Sequence, residues 1–152
     1  MVILNMRFRI PWLAAKLLFR GENGMVNLRK VEAYYDRELL EELRDFPGLK
    51  WKIWAISKNG LHGSGFYLFD DEASAQLRAE YAKRFYWRKG MFFCRCYISE
   101  VLEDCSRFTR APIDTTANPP VTPEQAAEIM QFKSENPFKT FKRKYELLKG
   151  VK

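Results

Sequence analysis

The order of alternating and helix-patterned segments along this 152-residue chain predicts an α+β fold, a ferredoxin-like β-α-β-β-α-β subunit with extra C-terminal helices. Three observations carry that prediction. Two strand-like segments flank Asn59-Gly60 in the middle of the chain, a pair that marks a hairpin because both residues tolerate positive φ. Each member of that pair adjoins a stretch with apolar residues three and four apart, the spacing of one helical face. A further alternating segment lies outside each helix, which completes the order.

In chain order, Val2, Leu4, Met6, Phe8 and Ile10 alternate, so a strand places them on one face. Pro11 ends that strand by removing a ladder donor. Trp12–Phe19 favours a short helix, and Gly21 to Gly24 breaks it. Asn27 can cap a helix from Leu28 to about Asp45, with Leu28, Val31, Tyr35, Leu39, Leu43 and Phe46 along one face. Pro47-Gly48 stops it. Leu49–Ser57 reads as a strand with Trp51, Ile53 and Ala55 on one face and Lys52, Trp54 and Ile56 on the other. After the loop Lys58–Gly63, Ser64–Phe69 returns as its partner. Asp70-Asp71-Glu72 opens a helix at its positive dipole end, and Leu77, Tyr81 and Phe85 carry it to about Arg88. Gly90 ends it, and Met91–Val101 is the last strand. The four prolines of Ala111–Pro123 make a linker or a surface strap. Thr122 caps a helix near Pro123–Lys133, and Pro137–Lys149 shows a second helical pattern. We therefore divide the chain into a ferredoxin-like unit, 1–113, and a C-terminal extension, 114–152.

Composition bounds the function. The chain has 47% hydrophobic residues, with 12 Phe, 7 Tyr and 4 Trp, enough for a bulky core or an apolar cavity wall. No run of about 18 apolar residues exists to span a membrane. Three cysteines and no secretory signal favour a reducing compartment, and the cytoplasm is the expected location. Residues 1–21 lack acids, a bias shared with mitochondrial transit peptides, but their alternation fits a first strand better. The net charge of +7 is patchy: residues 21–50 hold seven acids against five bases, whereas 78–95 hold six bases and only Glu80. A patch of that kind suits an anionic substrate, a membrane surface or a partner better than specific nucleic acid.

Phe46-Pro47-Gly48-Leu49-Lys50-Trp51-Lys52-Ile53-Trp54, followed by Gly65-Phe66-Tyr67-Leu68-Phe69 and Asp70-Asp71-Glu72-Ala73-Ser74-Ala75, resembles the YdhR-type putative mono-oxygenases. The likeness runs from about Tyr34 to Val101, and two tryptophans with a lysine in one short strand are its most specific part. The resemblance implies a homodimer in which two sheets meet as a dimeric α+β barrel, with a cavity beneath each pair of helices. It also implies cofactor-independent chemistry, without metal or flavin, on an apolar aromatic or polyketide-like small molecule of secondary metabolism. Oxygenation is the first expectation. Cyclisation, isomerisation or elimination in the same pocket is the second, and a binding module without catalysis the third. Pro11–Val26 and the tail beyond Pro112 look like additions to the family's compact form.

The RNA-recognition module shares this topology, and its third-strand signature, K/R-G-F/Y-G/A-F-V-x-F/Y, lines up with His62-Gly63-Ser64-Gly65-Phe66-Tyr67-Leu68-Phe69. Here His62 replaces the basic residue, Ser64 replaces the first stacking aromatic, and the first strand offers no companion aromatic. Stacking contributes about 1–3 kcal/mol per base, so these losses argue against RNA.

Among candidate catalytic residues, His62 is the only histidine and could take a proton from a phenol, but it sits in a hairpin loop. Tyr67 could hydrogen-bond a substrate oxygen, and Trp54 could wall the pocket. Trp51 lies on the opposite strand face from Trp54, so one lines the pocket and the other packs elsewhere. Lys52 either holds an anionic oxygen or snorkels to solvent. Arg95, mid-strand, is either an ion-pair partner of Glu32 or Glu42 or an anion anchor. Phe66 and Tyr34 complete the expected substrate-binding set. Cys94, Cys96, Cys105 and His62 match no common zinc spacing, so no metal is expected.

Overall fold

A computed structural model describes every residue except Asp36, Gly90, residues 132–135 and Lys152, together with the side chains of Lys89 and Pro137. The elements are β1 (Val2–Arg9), α1 (Trp12–Leu18), α2 (Leu28–Tyr34), α3 (Arg37–Arg44), β2 (Leu49–Ile56), β3 (His62–Phe69), α4 (Glu72–Phe85), β4 (Phe92–Glu100), α5 (Glu103–Phe108), α6 (Pro123–Ile129) and α7 (Pro137–Leu148). The four strands form one antiparallel sheet in the order β2-β3-β1-β4, the ferredoxin-like arrangement.

Period-two alternation in β1 builds the core. Val2, Leu4, Met6 and Phe8 are buried beneath the helices, whereas Arg7 and Arg9 are exposed on the other face. Across β3, Tyr67 and Phe69 join the helix-covered face. α4 lies on that face through Ala75, Leu77, Ala79, Tyr81, Ala82 and Phe85. Asp71 caps its start by accepting from the Ser74 N–H at 2.8 Å. A 3-10 turn, Tyr86–Lys89, continues α4; Gly90, expected to end this segment, lies outside the described residues.

Three expectations are corrected. The single helix expected over Leu28–Asp45 is two helices: Tyr35 takes an extended conformation, ending α2, and α3 starts at Arg37. The hairpin loop expected over Lys58–Gly63 is shorter, because β3 already starts at His62, and of Asn59 and Gly60 only the glycine has a positive φ. Ser57 pairs with His62 across a four-residue loop, and Gly60 takes the positive φ of +73°. Asn59 instead accepts the Leu61 N–H through its side chain, a local bond that competes with the tighter turn. The helix expected over Pro123–Lys133 ends at Ile129, and Lys133 lies outside the described residues.

Two strands carry bulges. Lys50 is the extra residue in β2, because Leu49 pairs with Phe69 and Trp51 with Leu68. In β4, Phe93 at φ +52° marks the register shift opposite Phe8. The proline-rich segment is a strap along β2. Asn118 N–H donates to the Leu49 carbonyl at 3.0 Å, the Pro119 carbonyl accepts from Gly48 N–H at 2.8 Å, and the Lys50 amine reaches the Thr115 carbonyl. Ile113 is buried beneath it. α6 packs Ala126 and Ile129 on the main core, while α7 joins a second cluster with Leu18, Phe19 and Val31 through Leu148. No helix among the described residues is long and apolar enough to cross a membrane.

Candidate functional site

A cleft opens between the helix-covered face of the sheet and the segment containing Tyr35 and α3. Its sheet wall comes from Phe8, Lys52, Trp54, Gly65 and Tyr67; its helix wall comes from Tyr35, Leu39, Glu42 and Leu43. Arg78, Tyr86 and Met91 also line it. The space between the walls is about 430 Å³, part of it open to solvent, and the room for water-sized centres holds only a molecule or two.

Local sequence explains how the floor forms. Tyr67 is 2% exposed, and its ring lies over Gly65, where a Cβ would come within 2.7 Å of it. Gly63 plays the same part for the Phe8 ring. The glycines that look like hairpin punctuation therefore clear space for two aromatic rings. Trp54, opposite Gly65, is 38% exposed and packs against Tyr35 with ring centroids 4.4 Å apart.

Two cations enter this aromatic cleft. The Lys52 amine lies 2.8 Å from the Trp54 ring centroid and 4.6 Å from that of Tyr67. Arg78, 3% exposed, projects from the middle of α4 among small neighbours, Ser74, Ala75 and Ala82. Its guanidinium carbon lies 5.3–5.7 Å from the ring centroids of Phe46, Tyr67, Tyr81 and Tyr86, a cation–π enclosure. It donates one hydrogen bond to the Tyr86 hydroxyl, while its Nε–H is buried without a partner. Burial opposes the Arg78 charge, but the oxygens of Tyr86, Tyr67 and Tyr81 outweigh that and hold the guanidinium above its ordinary range. Burial likewise pushes the phenols of Tyr35 and Tyr86 up, so both stay protonated. Glu42, exposed, is the one acid on the cleft wall among the described residues.

The expected site residues divide between the two faces of the sheet. Trp54, Lys52 and Tyr67 meet in the cleft. Trp51 and Phe66 lie on the opposite face, where Trp51 donates through Nε1 to the Pro112 carbonyl at 3.0 Å. Arg95 is exposed on that face too and pairs with neither Glu32 nor Glu42, because its strand alternates Cys94 and Cys96 toward the helices. His62 is exposed at the start of β3, off the cleft wall. Tyr34 packs on Phe19, 5.3 Å between centroids, in the second cluster. The break after α2 is what brings Tyr35, one residue later, to the cleft. Cys94 and Cys96 lie 3.9 Å apart at their sulfurs, Cys105 is exposed on α5, and no group of three or more metal-ligating side chains gathers among the described residues.

Sequence reasoning missed Arg78, Tyr86 and Tyr35. Arg78 follows Leu77 and precedes Tyr81, yet it reads as one charge in a helix whose later turns are basic. Its burial was legible only in the small residues at 74, 75 and 82, three or four positions away on the same face.

The antiparallel sheet in this order, with helices on one face and an aromatic cleft between, defines an α+β protein of the ferredoxin-like class. Within that class the chain belongs to a family described as Putative mono-oxygenase ydhR, whose model matches residues 26–112. The match begins after β1 and α1 and takes in α2 through α5, including the cleft residues from Tyr35 to Met91. No curated protein matches the chain.

Proposed function

We propose that the cleft binds a small aromatic substrate and that the protein acts as a cofactor-independent mono-oxygenase on it. The observation that carries this reading is the Lys52 amine held between the rings of Trp54 and Tyr67, within a family named for mono-oxygenation. A phenolic oxygen placed there would lose its proton to Glu42. Lys52 and the Tyr67 hydroxyl would stabilise the resulting phenolate, as positioned donors do for any developing oxyanion. The electron-rich ring then reacts with dioxygen at a C–H carbon. One oxygen atom becomes a carbonyl and the other leaves as water, so that phenol plus O₂ gives quinone plus H₂O. The substrate supplies all four electrons, and no external reductant enters the balance. With room for only a water molecule or two as it stands, the cleft takes a single ring only as its walls part, and a fused polycycle less readily still.

The protein is further proposed to be a homodimer closed through the open face of the sheet. That face carries Ile53 and Tyr97, each 54% exposed, beside Trp51 and Phe66. Side chains of this size on a flat surface favour a protein partner. The same face as a monomer would suit a binding module instead, and solution mass separates the two: a dimer that Ile53→Lys dissociates supports the barrel.

The chemistry is tested by following oxygen consumption with a panel of single-ring phenols. Uptake matched by quinone, and lost in Lys52→Met and Tyr67→Phe, supports the reading. Conversion of substrate without uptake replaces it with cyclisation or isomerisation in the same cleft.

A further inference from the structure

Arg78 is expensive and its partners are incomplete. Aromatic faces supply a quadrupole rather than a counter-charge, and the hydroxyls of Tyr86 and Tyr67 are neutral acceptors that leave Nε–H, among the five N–H donors, unsatisfied. Among the described residues no carboxylate pairs with it, and its buried Nε–H has no acceptor. A charge taken out of water is costly unless it is paired and hydrogen-bonded, and here no anion pairs with it. This one lines a cleft that also contains Lys52, whereas the acid on the wall, Glu42, is exposed. The interior of the cleft is therefore cationic, aromatic and narrow.

We infer that Arg78 makes the inner end of this cleft a receptor for the carboxylate of a small aromatic acid. The guanidinium is a planar fork whose Nε–H and a terminal N–H point in parallel, the geometry that a carboxylate meets with two hydrogen bonds. Phe8, Tyr35 and Trp54 then flank the ring that the carboxylate carries. Neutral phenols lack the group that completes Arg78, and cationic ligands meet two like charges. Resting on the reading of the cleft as the substrate site, this narrows the substrate to an aromatic ring bearing a carboxylate as well as the reactive position.

Titration of the full chain with benzoate and with its neutral isostere benzamide tests it without any turnover. Benzoate is expected to bind at least tenfold more tightly than benzamide, and to shift the ¹⁵N resonance of the Arg78 Nε–H. Arg78→Gln is expected to lower benzoate affinity at least tenfold and leave benzamide affinity unchanged. Should that variant not fold, the wild-type ratio and the Nε shift decide. Equal affinity for acid and amide, no measurable binding of benzoate, or saturation with an unmoved Nε resonance overturns the inference. Benzoate bound at Arg78 with no oxygen uptake from any phenol would retain this site and remove the mono-oxygenase reading. Oxygen uptake with neutral phenols and no preference for the acid would do the reverse.

Discussion

Removing the Tyr86 hydroxyl isolates what the buried guanidinium costs. Tyr86→Phe keeps the ring, and with it the edge-on packing against Phe8 at 5.9 Å between centroids. It deletes the acceptor of the Arg78 hydrogen bond, together with the hydroxyl's bond to Tyr67, within a site that is almost free of solvent. Hydrogen bonds to charged groups contribute about 1.5–3 kcal/mol, and leaving the donor buried places this one toward the upper end, about 2–3 kcal/mol. With a urea slope of about 2 kcal/mol per molar, the unfolding midpoint should fall by about 1–1.5 M. Arg78→Met removes the burial cost of the charge but also its enclosure by four rings and the donor to the Tyr86 hydroxyl, so a loss of about 1–3 kcal/mol is expected. In the double variant the hydroxyl has no guanidinium to satisfy, so Tyr86→Phe should then cost under about 1 kcal/mol. The cycle is read by urea unfolding followed by tryptophan fluorescence. A loss below about 0.5 kcal/mol for Tyr86→Phe alone would falsify the claim that the hydroxyl supports a buried charge, as would an undiminished loss for Tyr86→Phe in the Arg78→Met background.

Gly65→Ala puts a methyl 2.7 Å from the Tyr67 ring, which is buried and cannot swing away freely; a loss of about 1–3 kcal/mol in thermal or urea unfolding is expected, together with weaker ligand binding in the cleft. Asn118→Ala removes two hydrogen bonds to the Arg44 and Phe46 carbonyls and should cost about 1–2 kcal/mol, with faster amide exchange at Gly48, whose N–H the strap also binds. The phenols of Tyr35 and Tyr86 are raised above the unfolded value of about 10 by burial, so their contribution to stability is complete below that pH and is lost as pH rises through the folded values. Spectrophotometric titration should therefore leave these two tyrosines silent until the alkaline unfolding transition; their titration in the folded protein would contradict the burial.

The fold was legible because its signals are periodic and local. The row from Val2 to Phe8 and the split between Trp51 and Trp54 follow from period two alone, and both faces are as alternation predicts. The site was less legible because it depends on departures from period. Tyr35 reaches the cleft since α2 stops there, and a continuous helix would have offered a different face. An arginine was expected as an ion-pair partner or anion anchor on β4, where Arg95 is exposed; the buried one is on α4, where small neighbours leave room for it. His62 drew attention by its chemistry, and chemistry alone does not fix reach: it lies in the first position after the hairpin, beyond the cleft wall.

β1 lies inside the sheet, paired on both sides, and its partners are far along the chain: Val2 faces Phe69 on one side and Glu100 on the other. The β2–β3 hairpin closes a loop of only a few residues, so it can form early at little entropic cost. Seating β1 requires nearly the whole sheet-forming sequence to be gathered first. The contacts of this strand should thus form late, after those of the hairpin and of α4 upon it. Substitutions at Leu4 or Met6 would then act mostly on unfolding, whereas those at the hairpin would act on folding.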